Sequence, residues 1–172
     1  MIEPARNEDT TLLTRYRLTV SYDGSSWAGW QSQPNQRGVQ DRLEMAVARI
    51  VGSAVSVQGS GRTDAGVHAL AQIAHMDIPA TRVLEPEAWQ RALNANLPAS
   101  IRVLDCTAAA KDFHARYSAR GKVYRYHISR AGVLSPFDNG RAWHVYGALD
   151  LNLLQDCAQR LHGTHNFARL AA

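Results

Sequence analysis

Residues 60–69 combine reactive side chains with a backbone that can turn sharply, and we call this segment the Asp64 loop. Between two glycines stand one cation, one hydroxyl and one carboxylate: Arg62, Thr63 and Asp64. A lone aspartate has a reference pKa of about 3.9, so its carboxylate is ionised at neutral pH and can attack an electrophilic carbon. The same residue types also form Asx turns, in which Asp64 would cap its own loop and Arg62 would be solvated.

A second candidate segment is rich in cations and aromatic rings, and we call residues 113–130 the basic aromatic segment. Its basic residues have no acidic residue among them: Arg116, Arg120, Lys122, Arg125 and Arg130. Polar and apolar residues alternate from Lys122 to Ser129, which predicts a strand with Tyr124 and Tyr126 on one side. Tyrosines beside arginines suit an unstacked nucleotide, although a tyrosine strand can equally line a protein core.

The segment from Ser25 to Gly38 is predicted to be a loop that carries Trp27 and Trp30 together with two glutamines. Aromatic and amide side chains in a loop can stack on and hydrogen-bond to nucleotides. They can also pack over the edge of a sheet, and the pattern alone leaves both interpretations open.

Composition places the chain among globular proteins with a slight preference for acidic partners. Of its 172 residues, 45% are hydrophobic and 20% charged, with a net charge of +4 and a pI of about 9.4. No apolar run approaches the roughly 20 residues of a membrane span, and the first eleven residues do not resemble a secretory signal. Cys106 and Cys157 lack metal-ligand spacing and are predicted to be reduced, partly buried thiols. His68 and His75 lack further metal ligands at usable spacing, and the chain has no phosphate-binding or dinucleotide fingerprint.

The spacing of apolar residues predicts the order strand, helix, strand, strand, helix, strand. These elements cover Arg15–Tyr22, Val39–Val51, Val55–Val57, Leu70–Ile78, a helix starting near Pro86, and Ile101–Leu104. This order is typical of an α+β ferredoxin-like plait, an antiparallel sheet with helices on one face. Gly52 is predicted to end the first helix, and Asp150 to cap a further helix that stops by Gly163.

Residues Gly61–Ala69 resemble, without interruption, the signature loop of the TruA family of tRNA pseudouridine synthases. Two other segments support the resemblance: Asp23-Gly24 with Gly29-Trp30-Gln31 and Val39-Gln40, and Phe113–Arg116 followed by Tyr124-Arg125-Tyr126. The resemblance implies that Asp64 is the catalytic residue, that Arg62 handles the flipped-out nucleotide, and that Tyr124 sits against the target uracil. From their place in the basic aromatic segment, Arg116 and Arg125 are also expected to bind substrate, because cations there can contact phosphates.

The family resemblance further implies isomerisation of uridine to pseudouridine at positions 38, 39 and 40 of the tRNA anticodon stem-loop. No cofactor and no metal are expected, the partner is tRNA, and the full protein is expected to be a cytoplasmic homodimer. Whether Asp64 attacks the sugar or deprotonates it stays open. One departure from the family pattern is Asn166, where family members usually have aspartate.

The resemblance covers nearly all of the chain from Arg15 onward but only the first part of a family member. We therefore expect a flexible tail over 1–12, a domain bearing the Asp64 loop over 13–110, and a truncated second domain over 111–172. Two rival classes remain for such a fragment: a non-catalytic RNA-binding module, and a structural domain in which Asp64 only caps a loop.

Overall fold

The computed structural model describes residues 12–34 and 36–170, which divide into a unit ending at Val123 and a unit beginning at Tyr124. Apart from Leu12, the tail predicted over 1–12 lies outside the described residues. In the first unit the chain forms β1 (Leu13–Tyr22), α1 (Val39–Val51), β2 (Val57–Gly59), β3 (Ala69–Pro79), α2 (Pro86–Asn96) and β4 (Ile101–Ala109). Short 3₁₀ turns occupy Gly24–Ser26 and Ala80–Arg82.

The four strands form one sheet in the order β2-β3-β1-β4, and each neighbouring pair is antiparallel. The central strand β1 pairs on both sides, so Leu18 lies opposite Ala74 of β3 and Cys106 of β4. The expected combination of helices with an antiparallel sheet is therefore confirmed. Strand β4 is longer than predicted, because pairing with β1 extends it to Ala109.

The alternation of β1 sorts its side chains between the two faces of the sheet. Tyr16, Leu18, Val20 and Tyr22 are all buried in the core. Successive side chains of a strand point to opposite faces, so these four residues lie on one face of the sheet, and that face is buried. The buried residues of α1 and α2 belong to the same cluster.

Local signals set the ends of both helices. The carboxylate of Asp41, the third residue of α1, accepts a hydrogen bond from Gly38 N–H at 2.8 Å and satisfies a donor at the helix N-terminus. Gly52 ends α1 in the left-handed conformation with φ of +86°, as predicted. Pro86 occupies the first turn of α2, where its missing N–H costs nothing, and Trp89 packs against Tyr16 with ring centroids 5.8 Å apart.

The second unit contains β5 (Ile128–Ser129), β6 (Trp143–His144) and α3 (Leu151–Leu161), followed by a 3₁₀ turn over Ala168–Leu170. Strands β5 and β6 pair in parallel. Asp150 caps α3 as predicted, because its Oδ1 accepts hydrogen bonds from Asn152 N–H and Leu153 N–H at 2.9 and 3.0 Å.

The strand predicted over Lys122–Ser129 is wrong except for its last two residues. A strand exists through hydrogen bonds to a neighbouring strand, and within the described residues this segment has them only at its end. There His127 C=O accepts from Trp143 N–H, and Ile128 and Ser129 pair with β6. Alternating side chains cannot replace those hydrogen bonds.

The two cysteines are both free and lie in different environments. Cys106 is buried, and burial raises the pKa of its thiol to about 12. Cys157 is exposed, so the prediction of partial burial is wrong for this thiol. Of the helices in the part of the chain that the structure describes, none has the length and apolarity needed to cross a bilayer.

The two glycines Gly52 and Gly121 allow a test of the backbone at the end of α1. An added Cβ would meet nothing within 4 Å at either position, but only Gly52 has a positive φ. We expect Gly52→Ala to lower the free energy of unfolding by about 1–2 kcal/mol, the cost of a left-handed backbone in an L-residue. Gly121→Ala is the matched control and should be neutral or stabilising by about 0.4–1 kcal/mol, because it restricts the unfolded chain. Urea titrations of both variants measure their free energies of unfolding. Equal effects of the two substitutions would refute the left-handed backbone at Gly52.

Candidate active site

The Asp64 loop begins where β2 ends, and a β-turn presents its carboxylate. Val67 N–H donates to Asp64 C=O at 3.2 Å, and Gly66, the third residue of this turn, has a φ of +79°. A type II turn requires a positive φ at that position, which explains the glycine. Asp64 is therefore the first residue of the turn, and its side chain is exposed.

A second loop, residues 23–38, docks onto the Asp64 loop, and we call it the tryptophan loop. Trp30 N–H donates to Thr63 C=O at 3.0 Å, and Gly66 N–H donates to Trp27 C=O at 3.2 Å. Such close approach is possible because Gly29 has no side chain: an added Cβ would overlap Thr63 C=O, and its φ is +97°. The two loops thus hold each other by backbone hydrogen bonds.

The hydrogen bond from Gly66 N–H bears on the Asx-turn interpretation of Asp64. An Asx turn would need this N–H, two residues after the aspartate, to donate to the Asp64 carboxylate. The N–H instead donates to Trp27 C=O. Among residues 12–34 and 36–170 the Asp64 carboxylate has neither a hydrogen bond nor an ion pair, so it is available to a ligand.

Side chains from β1 and β3 hold the backbone on both sides of Arg62. Tyr22 shares a hydrogen bond of 2.9 Å with the Thr63 hydroxyl, and burial raises the pKa of the Tyr22 phenol. Gln72 of β3 donates to Gly61 C=O at 2.5 Å. The backbone around Arg62 is therefore fixed, while its guanidinium group extends from an exposed position.

Lys122 lies beside the Asp64 loop, a contact that the sequence did not predict. Its ammonium group occupies the space that a Cβ at Gly61 would fill, so it lies against the Asp64 loop. The sequence signal was its place among the cations of the basic aromatic segment. Because Lys122 follows Gly61 by sixty-one positions in the chain, only the tertiary structure reveals this contact.

Two histidines form hydrogen bonds with the backbone at and next to Arg116. Buried His75 of β3 accepts a hydrogen bond from Ala115 N–H at its Nδ1, 3.2 Å away. His114 accepts from Arg116 N–H at 3.2 Å and contacts Gln58 of β2 at 3.0 Å through its other ring nitrogen. The backbone of Arg116 is thus tied to the strand that leads into the Asp64 loop.

An ion pair secures the same segment to the sheet. Arg15 of β1 donates to both carboxylate oxygens of Asp77, at 2.7 and 2.6 Å, and to the carbonyl oxygens of Lys111 and Phe113. The hydrogen bond from Arg15 holds the pKa of Asp77 below its ordinary value. One guanidinium therefore joins β1, β3 and the chain just before Arg116.

The structure brings some of the predicted site residues together and separates others. Arg62 and Asp64 share one loop with Lys122 beside it, and Arg116 belongs to the same unit. Tyr124 and Arg125 belong to the second unit, where Tyr124 is 69% exposed. The predicted stacking surface of Tyr124 is therefore accessible, although the strand expected to carry it is absent from the described residues.

The aromatic residues of the tryptophan loop pack against the protein core. Trp30 is buried against Tyr22, with ring centroids 6.0 Å apart, and Trp27 packs against the core as a partly buried residue. His68 lies 3.2 Å from a carboxylate oxygen of Asp23 and accepts from Gly24 N–H. Within the described ranges no group of histidine, cysteine, aspartate and glutamate side chains could hold a metal ion.

Comparison of the whole sequence with known proteins identifies its family. Residues 18–118 match the model of a family described as tRNA pseudouridine synthase. The chain is 48% identical to tRNA pseudouridine synthase A of Akkermansia muciniphila over 160 residues, covering 93% of the chain and 60% of the relative. It is 45% identical to the protein of the same name from Rhodospirillum rubrum over 161 residues, covering 93% and 57%.

A third relative, tRNA pseudouridine synthase A of Methylacidiphilum infernorum, is 46% identical over 153 residues, covering 89% of the chain and 59% of the relative. The chain therefore spans about three fifths of the length of these curated relatives. The matched residues 18–118 contain Arg62, Asp64 and Arg116. The resemblance found in the Asp64 loop is thus confirmed at the level of the family.

The docking of the two loops can be tested with Gly29→Ala. The new Cβ would overlap Thr63 C=O and would force a strained φ, so we expect the loops to separate. The amide hydrogens of Trp30 and Gly66 should then exchange at least tenfold faster, because both donate across the two loops. Gly132→Ala is the control, since a Cβ there meets nothing within 4 Å. Unchanged protection in Gly29→Ala would contradict the docking.

The buried His75 makes the stability of the first unit depend on pH. Burial, followed by the nearby charges of Arg15 and His114, lowers the pKa of His75 below its ordinary value of 6.5. Near pH 6.5 His75 takes up a proton in the unfolded chain but stays neutral in the folded chain. The free energy of unfolding therefore decreases as the pH drops below that value. Asp77 loses its contribution only below its ordinary pKa of 3.8, so the two windows are separate.

We therefore expect the free energy of unfolding of the wild-type chain to decrease between pH 7.5 and pH 5 by more than that of His75→Gln. The glutamine can accept from Ala115 N–H but cannot titrate. Urea titrations at several pH values measure the difference, in which the contributions of the other histidines cancel. Identical pH profiles for the two proteins would show that His75 is not held neutral.

Proposed function

Because the chain belongs to the tRNA pseudouridine synthase family, we propose that it carries the catalytic aspartate of an enzyme that isomerises uridine to pseudouridine in tRNA. The observation that supports this most is the Asp64 carboxylate. It is exposed and has no hydrogen-bond partner among the described residues, yet its backbone is held by the turn to Val67 and by the tryptophan loop. A reactive group on a rigid support is what covalent or acid–base catalysis requires.

The reaction breaks the bond from ribose C1′ to uracil N1, turns the base, and joins C1′ to C5. The proton leaves C5 and N1 gains one, so the product is an isomer of the substrate and no electrons enter or leave. One carboxylate is sufficient for this chemistry, either as a nucleophile at C1′ or as a base towards the sugar. The position of Asp64 serves both routes.

The cations of the Asp64 loop and of the basic aromatic segment are proposed to hold the substrate. The target uridine must leave its stack, which costs a few kcal/mol. We assign contact with the flipped nucleotide to Arg62, whose backbone is fixed on both sides, and to Lys122 beside it. Arg116 and Arg125 are assigned to backbone phosphates, and Tyr124 to stacking on the uracil, which is worth roughly 1–3 kcal/mol per base.

Further parts of the proposal rest on the family resemblance alone. They are action at positions 38, 39 and 40 of the anticodon stem-loop, assembly of the full protein as a homodimer, and a cytoplasmic location. For the fold we propose a ferredoxin-like plait over 13–110, followed by the start of a second domain over 111–172. The sheet order β2-β3-β1-β4 and the shared core of α1 and α2 support the plait.

The decisive experiment is tritium release from C5-labelled uridine in tRNA. We expect release by the wild-type chain and a decrease of about a thousandfold or more in Asp64→Asn, which keeps the shape of the side chain but removes its charge. Asp105→Asn is the matched control, because this exposed carboxylate makes only a 3.8 Å ion pair with Arg17. The control should keep wild-type activity.

Three other results would contradict the proposal, and tRNA binding measured in parallel separates the first two. Salt-sensitive binding without release from the wild-type chain would make it an RNA-binding module. Neither binding nor release, from a chain shown to be folded, would leave a structural domain. Equal release by wild type and Asp64→Asn would remove Asp64 from the mechanism.

A further inference from the structure

A cavity of about 140 Å³ opens on the helical side of the first unit. None of the residues that line it belongs to the Asp64 loop. Helix α1 contributes three residues of its wall, and the tryptophan loop and the chain at the end of α2 contribute the others. The lining residues are Trp27, Arg42, Met45, Arg49, Asn96 and Pro98. Two cations, an indole and an amide thus share one small space.

The cations of this cavity lack compensating charges. Within residues 12–34 and 36–170 neither Arg42 nor Arg49 forms an ion pair with a carboxylate. The Nε atom of Arg42 is buried and has no hydrogen-bond partner there, and Nη1 contacts only the sulfur of Met45 at 3.8 Å. A buried donor normally finds a partner, so this guanidinium group retains unused capacity for an acceptor.

The guanidinium of Arg42 is also pre-oriented. Its central carbon lies 5.5 Å from the centre of the Trp27 ring, within the range of a cation–π contact. The indole is itself held in place, because its N–H donates to the Ser100 hydroxyl at 3.2 Å. A fixed planar cation loses little freedom when it binds an anion, which favours affinity.

Trp27 connects this cavity to the catalytic loop. Its carbonyl oxygen accepts the hydrogen bond from Gly66 N–H that leaves Asp64 available. The residue that forms the aromatic wall of the cavity therefore also contacts, through its backbone, the turn that begins at Asp64.

We propose that the cavity holds one backbone phosphate of the bound tRNA between Arg42 and Arg49, and this proposal rests on the proposed function. Guanidinium groups match the geometry of phosphate oxygens and donate to two of them at once. The side-chain amide of Asn96 lines the same space. Phosphate contacts of this kind set the register of a nucleic acid on a protein without reading its sequence. The cavity is accordingly a positioning subsite for the RNA.

The salt dependence of tRNA binding tests the proposal. Each phosphate neutralised by a protein contributes about 0.7–0.9 to the slope of log K against log salt concentration. We expect the double variant Arg42→Gln/Arg49→Gln to lose about this much slope and to bind tRNA more weakly at low salt. The control double variant Arg82→Gln/Arg91→Gln removes the same charge from exposed positions outside the cavity and should keep the wild-type slope.

A titration with inorganic phosphate gives an independent readout that needs no RNA. In the wild-type chain and the control, NMR signals of the Arg42 Nε–H and the Trp27 indole N–H should shift and saturate. In the cavity variant the indole signal should not move. If the wild-type chain binds no tRNA, this titration alone decides: saturable shifts support the phosphate site while the proposed function fails, and flat signals overturn both.

An unchanged salt slope in Arg42→Gln/Arg49→Gln overturns the subsite even when tRNA binds. Altered self-association of this variant in sedimentation would then show that the cavity receives a carboxylate from a second copy of the chain instead of a phosphate.

Discussion

The backbone hydrogen bond from Gly66 N–H to Trp27 C=O is the contact on which the candidate site depends. It occupies the one donor that the Asp64 carboxylate would otherwise accept from within its own turn. It also joins two loops that are far apart in the chain. A single donor thus explains both why the carboxylate is available and why its backbone does not move freely. The glycine at position 29 is a condition for this contact, since any Cβ there would overlap Thr63 C=O.

The sheet supplies the rigid base for these loops. Tyr22 at the end of β1 and Gln72 in β3 bind the Asp64 loop on either side of Arg62. On the same strands, the Arg15–Asp77 ion pair and His75 hold the segment that carries Arg116. Tyr22 is also a member of the buried core that α1 and α2 share with the sheet, so this one side chain packs in the core and binds the Asp64 loop through its hydroxyl.

The elements of the first unit with a strong apolar periodicity were predicted correctly from local sequence patterns. The alternation of β1, the apolar repeat of α1 and the stop at Gly52 each depend on neighbours in sequence, so propensity and burial agree there. The strand over Lys122–Ser129 failed because a strand needs a partner, and a sequence pattern does not show whether one is present. Strand β4 extends to Ala109, beyond the predicted end, because β1 provides a partner along its whole length.

The sequence by itself determined the family and the identity of the reactive groups, because the residues of the Asp64 loop are contiguous and their chemistry is intrinsic to their types. Tertiary structure alone decided that Gly66 N–H does not donate to the Asp64 carboxylate, since the competing acceptor, Trp27 C=O, comes from a distant segment. It alone placed Lys122 against Gly61 and gathered Arg42 and Arg49 around one cavity. Contacts between residues remote in sequence leave no local periodicity, which is why no reading of the chain in order reveals them.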